Sequence, residues 1–529
     1  MIIQISLLLT AVLLLQSIVT RSKAHNALLS VPLYQTLYDC WQGSGPIAIY
    51  NLRQRPLLER HGGAIYTWNA GRWTLLVTNP EYLSRIFRNE SIIAKGGFYR
   101  KTPHGIFARL FGPNIITSSG TVWKNLTLII KPALQRSVDV SFMIRHSTKL
   151  VSRVLECQAE KPPGRGVNID PLVENWSVDI CGEYFLDLNF AALETGFSRV
   201  GNAFQRLFGK LSGPFYAAFP LLERICKLLP SRRRAVALVT DFEDTLLNAV
   251  ENHQIPCKDS SASSSRPDKL IHRLQQAHRT GQISDLLYRS NLKILFIAGH
   301  ENVKSVLTSA MWELGRHTHM QELLRQEILS SLAPRSPPSP ETLKTLPYLN
   351  AVIYETLRLY PPLSQLTNRV ALQPFPLDDT LTVAQGTWVG WNAYGVHTDP
   401  QNWGAAAHDF QPDRWGHDIH AIRDKVRRTQ AKCTYIPFNA YHRRCLGMEF
   451  ALLQLRVGLA ELVRGCAWRV DSEYSFSLIN LTGIAEGNSE AKELYAGFYE
   501  DRGLKVLFCP VALGYSGDGE KSGEVSWSV

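Results

Sequence analysis

The sequence predicts a mainly α-helical fold with a minor β region, preceded by an N-terminal transmembrane anchor. Three observations carry this reading. Most of the chain beyond a short β hairpin spaces its apolar residues helically, with interruptions at Pro and Gly. Residues 286–315 contain no proline, and Ile294-Leu295-Phe296-Ile297-Ala298 is apolar on every face of a helix, so this helix should run buried through the middle of the molecule. Residues 64–68 and 74–77 alternate and are joined by Asn69-Ala70-Gly71, a hairpin signal.

Taken in order, the elements begin with the anchor. Residues 2–19 are 18 uncharged positions, 13 of them apolar, followed by Arg21 and Lys23. At 1.5 Å per residue the run spans about 27 Å, enough for the thin bilayer of the endoplasmic reticulum. The positive residues follow the run, which leaves the body of the protein in the cytosol. A cleaved signal peptide would carry a charged leading region and a small-residue cleavage site, and neither is evident. The expected organisation is a single-pass anchor over residues 1–20, a linker over 21–55, a catalytic domain over 56–513 and a polar, disordered tail over 514–529. Low-complexity stretches at 258–267 and 333–340 read as solvated loops, because apolar periodicity resumes after each.

Composition removes several function classes. Of 529 residues, 45% are hydrophobic and 19% charged, so the chain can bury a large core and is not disordered as a whole. Its nine cysteines form no CxxC pair or dense cluster, which argues against a disulfide scaffold and a zinc finger. The formal charge of +11 suits an anionic membrane or an acidic protein partner. Nucleic acid is not an expected partner, because no basic stripe is interleaved with aromatics.

Two places break local rules. Inside the apolar helix, Ala298-Gly299-His300-Glu301-Asn302 sets a glycine and a charged residue where both are costly. Such violations mark either a functional site or a kink near the surface. Further on, Phe438-Asn-Ala-Tyr-His-Arg443-Arg-Cys445-Leu-Gly447 leads into an apolar helix over 448–463. A cysteine at a helix N-terminus beside two arginines has its thiolate stabilised, which points to a nucleophile or a metal ligand. No His/Asn pattern of a cysteine protease accompanies it, so the ligand reading leads.

The Phe438–Gly447 pattern resembles the cysteine-ligand loop, FxxGxRxCxG, of the cytochrome P-450 (haem-thiolate monooxygenase) family. Four more stretches match it in the family's order. Trp123 with Lys131-Pro132-Ala133 is similar to the helix over the haem propionates, and Ala298–Glu301 to the oxygen-binding groove. Glu355-Thr-Leu-Arg358 is similar to the ExxR helix, and Phe410-Gln-Pro-Asp-Arg414-Trp415 to the later PERF-type segment.

This resemblance implies a P-450 fold holding haem b (heme b) on the Cys445 thiolate, with Gly447 letting backbone amides reach the sulfur. It assigns Ala298 and Gly299 to the distal face of the haem and Phe438 to the cysteine loop. Trp123 and Arg443 fall at the propionates. Glu355, Arg358 and Arg414 become a buried structural triad. Electrons would come from NADPH through a separate NADPH-cytochrome reductase, and a monomer is expected. Substrate would meet residues 97–113, the helix face at Leu295 and 297–298, the strand 364–368 with Gln365 and Thr367, and the turn 482–485 with Ile484. The stretches 298–302 and 364–368 are similar to those of fungal secondary-metabolite enzymes, which implies an apolar peptide- or polyketide-derived substrate.

Three positions depart from the family pattern. Tyr441 replaces a glycine, so the loop is not expected to use the same positive-φ backbone freely. Thr127 replaces an arginine, for which Lys131 or Arg369 would compensate. Asn302 replaces the oxygen-groove threonine, so protons are expected through an Asn302-held water linked to Glu301, the two catalytic candidates. The missing threonine also admits an oxygen-independent isomerase or dehydratase, and a non-catalytic haem binder is the rival from another class.

Overall fold

The computed structural model describes residues 30–510, apart from 136–137, 212–215, 217–219, 226–228, 253–268, 333–337 and 472–503. The helices that position the site are α1 (Leu33–Gln42), α2 (Pro80–Arg88), α3 (Gly120–Leu134), α4 (Asp170–Cys181), α5 (Asp285–Arg316), α6 (Pro347–Leu359), α7 (Ile419–Ala431) and α8 (Met448–Gly465). Strands β1 (Ala64–Asn69), β2 (Arg72–Val77), β3 (Ile93–Lys95), β5 (Gln365–Ala371) and β6 (Trp388–Asn392) form one sheet in the order β1-β2-β6-β5-β3. A second sheet pairs β4 (Val167–Asn168) and β7 (Cys466–Val470) on either side of β8 (Lys505–Pro510).

The hairpin forms where the sequence places it. Ala70 and Gly71 both take positive φ, 48° and 77°, the conformation a two-residue turn needs to match strand twist. Both faces of the strands are covered. Ile65 and Leu76 pack with Val31, Tyr50 and Leu58, while Tyr66, Trp68, Leu75 and Val77 pack toward α2 and Trp391. The described part of the expected linker is helical and docks here, with the Val31 N–H donating to the Tyr66 carbonyl at 3.1 Å.

The 32-residue α5 extends the expected helix by one residue at each end, and the Ser284 hydroxyl caps it by accepting from the Leu287 N–H. It lies in the largest core cluster with residues of α3, α4, α6 and α8. Among the described residues, no helix is long and apolar enough to cross a membrane. The anchor, the serine-rich loop at 258–267, the tail and the turn with Ile484 lie outside the described residues.

Candidate active site and cofactor cradle

Cys445 sits in a tight loop that delivers it to the N-terminus of α8, with its N–H donating to the Phe438 carbonyl at 2.9 Å. By surface area the residue is exposed, yet surrounding protein desolvates its thiol and pushes the pKa up, against a hydrogen bond from the Gly447 backbone. Both facts fit a side chain that faces an internal cavity. The expectation that Arg443 and Arg444 lower this pKa does not hold. Arg443 points away to Glu90 and to the Ser118 carbonyl at 2.8 Å, and Arg444 is exposed. A metal ion bound there would supply the deprotonation, because a coordinating thiol loses its proton outright.

Tyr441 corrects a second expectation. It does adopt the left-handed backbone, at φ 56°, and so do Asn439 and Cys433 in the same loop. Left-handed residues with a Cβ cost about 1–2 kcal/mol. The Tyr441 side chain offsets this: its hydroxyl donates to the Ala431 carbonyl at 3.0 Å, accepts from Arg88 at 3.1 Å and shares a 2.8 Å hydrogen bond with Ser84. The Arg88 guanidinium also lies over its ring, 4.6 Å from the centroid.

Under the loop, Glu355 and Arg358 meet on one face of α6 in a two-pronged pair, each contact 2.8 Å. Arg414 donates to Glu355 at 3.1 Å, and the Trp415 indole N–H and Gln411 N–H donate to the same carboxylate at 3.0 Å. Arg358 also donates to the carbonyls of His397, Ala407 and Asp409. The structure thus brings the three triad residues together in a fully satisfied, buried network. It adds His397, which sequence reasoning missed. Its Nε2 accepts from the Ile436 N–H at 2.7 Å, so Nδ1 carries the proton and donates to the Arg358 carbonyl at 3.0 Å. Burial and the Arg358 charge hold this imidazole down at about 3, and it joins the triad to the segment at Ile436 that enters the cysteine loop.

Above the loop lies a cationic cradle. Arg369 and Arg443 both pair with Glu90, and the Arg443 guanidinium lies over the Trp123 ring, 4.4 Å from its centroid. Lys95, buried on β3, donates to Asn368 at 3.1 Å. Burial, with Arg369 and Arg443 nearby, pulls its pKa well down. A register shift between Thr367 and Arg369 breaks the strand alternation, which lets the neighbours Asn368 and Arg369 both reach this cradle. Two guanidiniums against the single carboxylate of Glu90 leave one positive charge uncompensated, and Lys95 adds an amine whose charge burial and those guanidiniums oppose until a further anion arrives.

These three basic groups around one carboxylate suit the two propionates of a haem. Arg369 Nε and Ser118 Oγ have no hydrogen-bond partner among the described residues. A Cβ added at Gly447 would meet nothing nearer than the Cys445 sulfur at 4.0 Å, so protein packing does not fill the space above the loop. The residues present fit haem. Lys131 does not join them: its side chain is exposed on α3, and Thr127 donates its hydroxyl back to the Trp123 carbonyl at 2.8 Å. Lys95, not Lys131, is the further basic side chain beside Arg369. Its signal in the sequence was a lysine closing an apolar strand.

The facing wall is α5. Leu295, Ala298, Gly299 and Asn302 are only half-buried, whereas Phe296, Ile297, His300 and Glu301 are buried. The spacing i, i+3, i+4, i+7 makes one stripe of the helix, the one that borders open space. Asn302 contributes an Oδ1 with no partner among the described residues, and its Nδ2 makes only a 3.5 Å contact to the Ala298 carbonyl. Gly299 is at the edge of the stripe and answers to packing: a Cβ there would sit 2.8 Å from Cys181 Sγ and 2.9 Å from Phe185.

Glu301 points away from Asn302 into a charged layer. One carboxylate oxygen lies 3.6 Å from Lys304 Nζ and the other 3.5 Å from His300 Nε2, while Lys304 is 2.9 Å from Glu174 on α4. Burial opposes the charge on Lys304, but Glu301, Glu174 and Asp170 together raise its pKa above the usual lysine value.

Of the expected substrate contacts, Gln365 is turned toward Asn392, 3.4 Å away, a contact within the sheet. Thr367 and Leu295 are half-buried. In the stretch 97–113, Phe98, Phe107 and Phe111 form a half-buried stack with ring centroids 5.1, 6.0 and 6.2 Å apart.

A family model described as Cytochrome P450 matches residues 51–491. The chain is 38% identical over 466 residues to the cytochrome P450 monooxygenase xanG of Aspergillus fumigatus, covering 88% of this chain and 86% of the relative. It is 31% identical over 438 residues to cytochrome P450-DIT2 of Saccharomyces cerevisiae, covering 81% and 85%. Among solved structures, the cytochrome P450DA heme domain superposes with a TM-score of 0.68 at 19% identity, covering 92% of this chain and 98% of that one. At that identity the likeness concerns the fold alone.

Proposed function

Given that this chain belongs to the cytochrome P450 family, we propose that it inserts one oxygen atom from O2 into an apolar organic intermediate of fungal secondary metabolism. The general activity is haem-thiolate monooxygenation, with electrons derived from NAD(P)H through a reductase. The observation that carries the reading is the convergence of Cys445, at the head of α8, with a cradle of two arginines and a buried lysine around the single carboxylate of Glu90.

Haem, when bound, supplies the oxygen-activating chemistry. Cys445 would hold the haem iron through its thiolate, with the Gly447 N–H hydrogen-bonded to the sulfur, while Arg443, Arg369 and Lys95 would take the propionates and Trp123 would back Arg443. Leu295, Ala298 and Thr367 border the substrate space. Asn302 holds a water at its unpartnered Oδ1, because an amide accepts and donates hydrogen bonds but does not titrate. Glu301 faces the other side, held by Lys304 and His300, and delivers protons to that water by turning its side chain out of the charged layer. The reductase is a separate NADPH-dependent flavoprotein. Residues 1–20 anchor the chain in the endoplasmic reticulum, and 56–513 form a cytosolic, monomeric catalytic domain ahead of the 514–529 tail.

Replacing Cys445 by Ala or His tests the centre of this proposal. The red-shifted Soret band of the reduced carbon-monoxide adduct should vanish while far-ultraviolet dichroism stays unchanged. A retained band would place the iron on another cysteine. Product formed without oxygen or reductase would replace the oxygenase reading with the isomerase one.

A further inference from the structure

Where the hairpin turns from β1 into β2, Arg72 lies beside Lys101, the last residue of a one-turn helix, Phe98–Lys101. Lys101 is only 2% exposed, which is unusual for a lysine without a counter-charge, and Arg72 is half-buried. Both cations lie over the buried Trp388 ring, Arg72 Cζ at 5.8 Å from its centroid and Lys101 Nζ at 5.5 Å. Their other contacts are neutral. Lys101 donates to the Asn69 side-chain oxygen at 2.6 Å, and Arg72 donates to the Lys101 carbonyl. Arg72 Nε is buried with no hydrogen-bond partner among the described residues.

Among the described residues, no carboxylate offsets this pair. Burial alone lowers the Arg72 pKa, and burial followed by the Arg72 charge takes Lys101 well below the usual lysine value. Glu223 belongs to the segment whose Pro220 abuts the turn, 3.0 Å from a Cβ built on Gly71. It is committed elsewhere, accepting from the Ile106 N–H at 2.8 Å and facing Arg232 at 3.8 Å. Residues 212–219 contain neither Asp nor Glu. One indole face shared by two cations does not replace a counter-charge, because the cations also repel each other. A single anion between them removes both penalties.

The haem cradle is a different place. Its Lys95 lies over Trp391, 5.5 Å from the ring centroid, and Trp388 and Trp391 project to opposite faces of β6. On the other side of the pair, Phe98 opens the turn that Lys101 closes, and it belongs to the stack with Phe107 and Phe111. Positions i and i+3 share a face of a helix, so the cations stand about one turn from this apolar wall. We propose that Arg72 and Lys101 bind a carboxylate of the substrate, whose apolar body lies against the phenylalanine stack. The substrate is then an organic acid, a deduction that rests on the monooxygenase reading above. The unpartnered Nε edge of a guanidinium, with a lysine beside it, matches the two oxygens of one carboxylate.

The test is equilibrium dialysis of full-length, haem-loaded protein against biphenyl-4-carboxylate and against its neutral primary amide. The acid should bind the wild type about tenfold tighter than the amide. Arg72→Gln and Lys101→Met should each remove that difference, while amide binding and the thiolate-bound carbon-monoxide band stay unchanged. Arg72 is half-buried at the start of a strand, so Arg72→Gln keeps the test valid if Lys101→Met loses haem. Arg279→Gln, an exposed cation elsewhere, should keep the difference. An acid that binds no tighter than its amide overturns the proposal, as does an equal loss in Arg279→Gln. Binding to vesicles of phosphatidylcholine and phosphatidate that falls in Arg72→Gln, with no preference for the acid, would make this a lipid-headgroup contact and overturn it too. Acid-selective binding that needs both cations, with product formed without oxygen or reductase, keeps the site and overturns the monooxygenase reading.

Discussion

Tyr441→Gly should destabilise the cysteine loop, although it restores the residue that the family pattern carries. The strain released is the left-handed penalty at φ 56°, about 1 kcal/mol. Against it stand three hydrogen bonds of the hydroxyl, to Ala431, Arg88 and Ser84. Two involve neutral partners, at about 1 kcal/mol each, but Ala431 and Ser84 lie near solvent and recover part of that from water. The guanidinium over the ring adds about 0.5–1 kcal/mol at this exposure. The balance is a net loss of about 1–2 kcal/mol for glycine. Tyr441→Phe keeps both ring and strain, so it should lose a comparable amount from the hydrogen bonds alone. Urea titration of the haem-loaded protein, read by loss of the thiolate-bound carbon-monoxide band, measures both. A glycine variant at least as stable as the wild type would refute the idea that the side chain offsets the backbone.

Other expectations follow from the network and from α5. Glu355→Gln leaves Arg358 buried without its counter-charge, which should cost about 3–5 kcal/mol; soluble yield and haem incorporation should collapse, and normal yields would sink the argument. His397 is held at about 3 in the folded protein and near 6.5 when unfolded, so stability is full above about pH 6.5 and is lost as pH falls from there toward 3. His397→Asn should therefore flatten the denaturation midpoint between pH 6 and 4, by up to about 1.4 kcal/mol per pH unit; identical profiles would contradict it. Asn302→Leu should consume NADPH at a similar rate but release hydrogen peroxide instead of product, while Asn302→Thr is tolerated and Glu301→Gln slows turnover. Unchanged product per NADPH in Asn302→Leu would remove the water-holding role.

How much of this was legible in the sequence depends on the range of the interaction. The hairpin, the 32-residue helix and the pairing of Glu355 with Arg358 are set by spacings of two, three or four residues, and the chain states them directly. The cradle is different. Glu90 contacts Arg369 and Arg443 across sequence separations of 279 and 353, and no local pattern encodes that meeting. Lys95 was readable only as an oddity, a lysine among apolar strand residues, and its meaning depends on Asn368 arriving from another strand. Gly299 carries a second constraint that its motif does not state: a Cβ there would meet Cys181 and Phe185, so the glycine also records a helix–helix approach. Tyr441 combines both lessons: the left-handed loop backbone persists without glycine because a side chain reaches helix α2, and that reach is visible only once Arg88 and Ser84 stand beside it. A motif departure therefore argues against a conformation only as strongly as the site lacks contacts able to hold it.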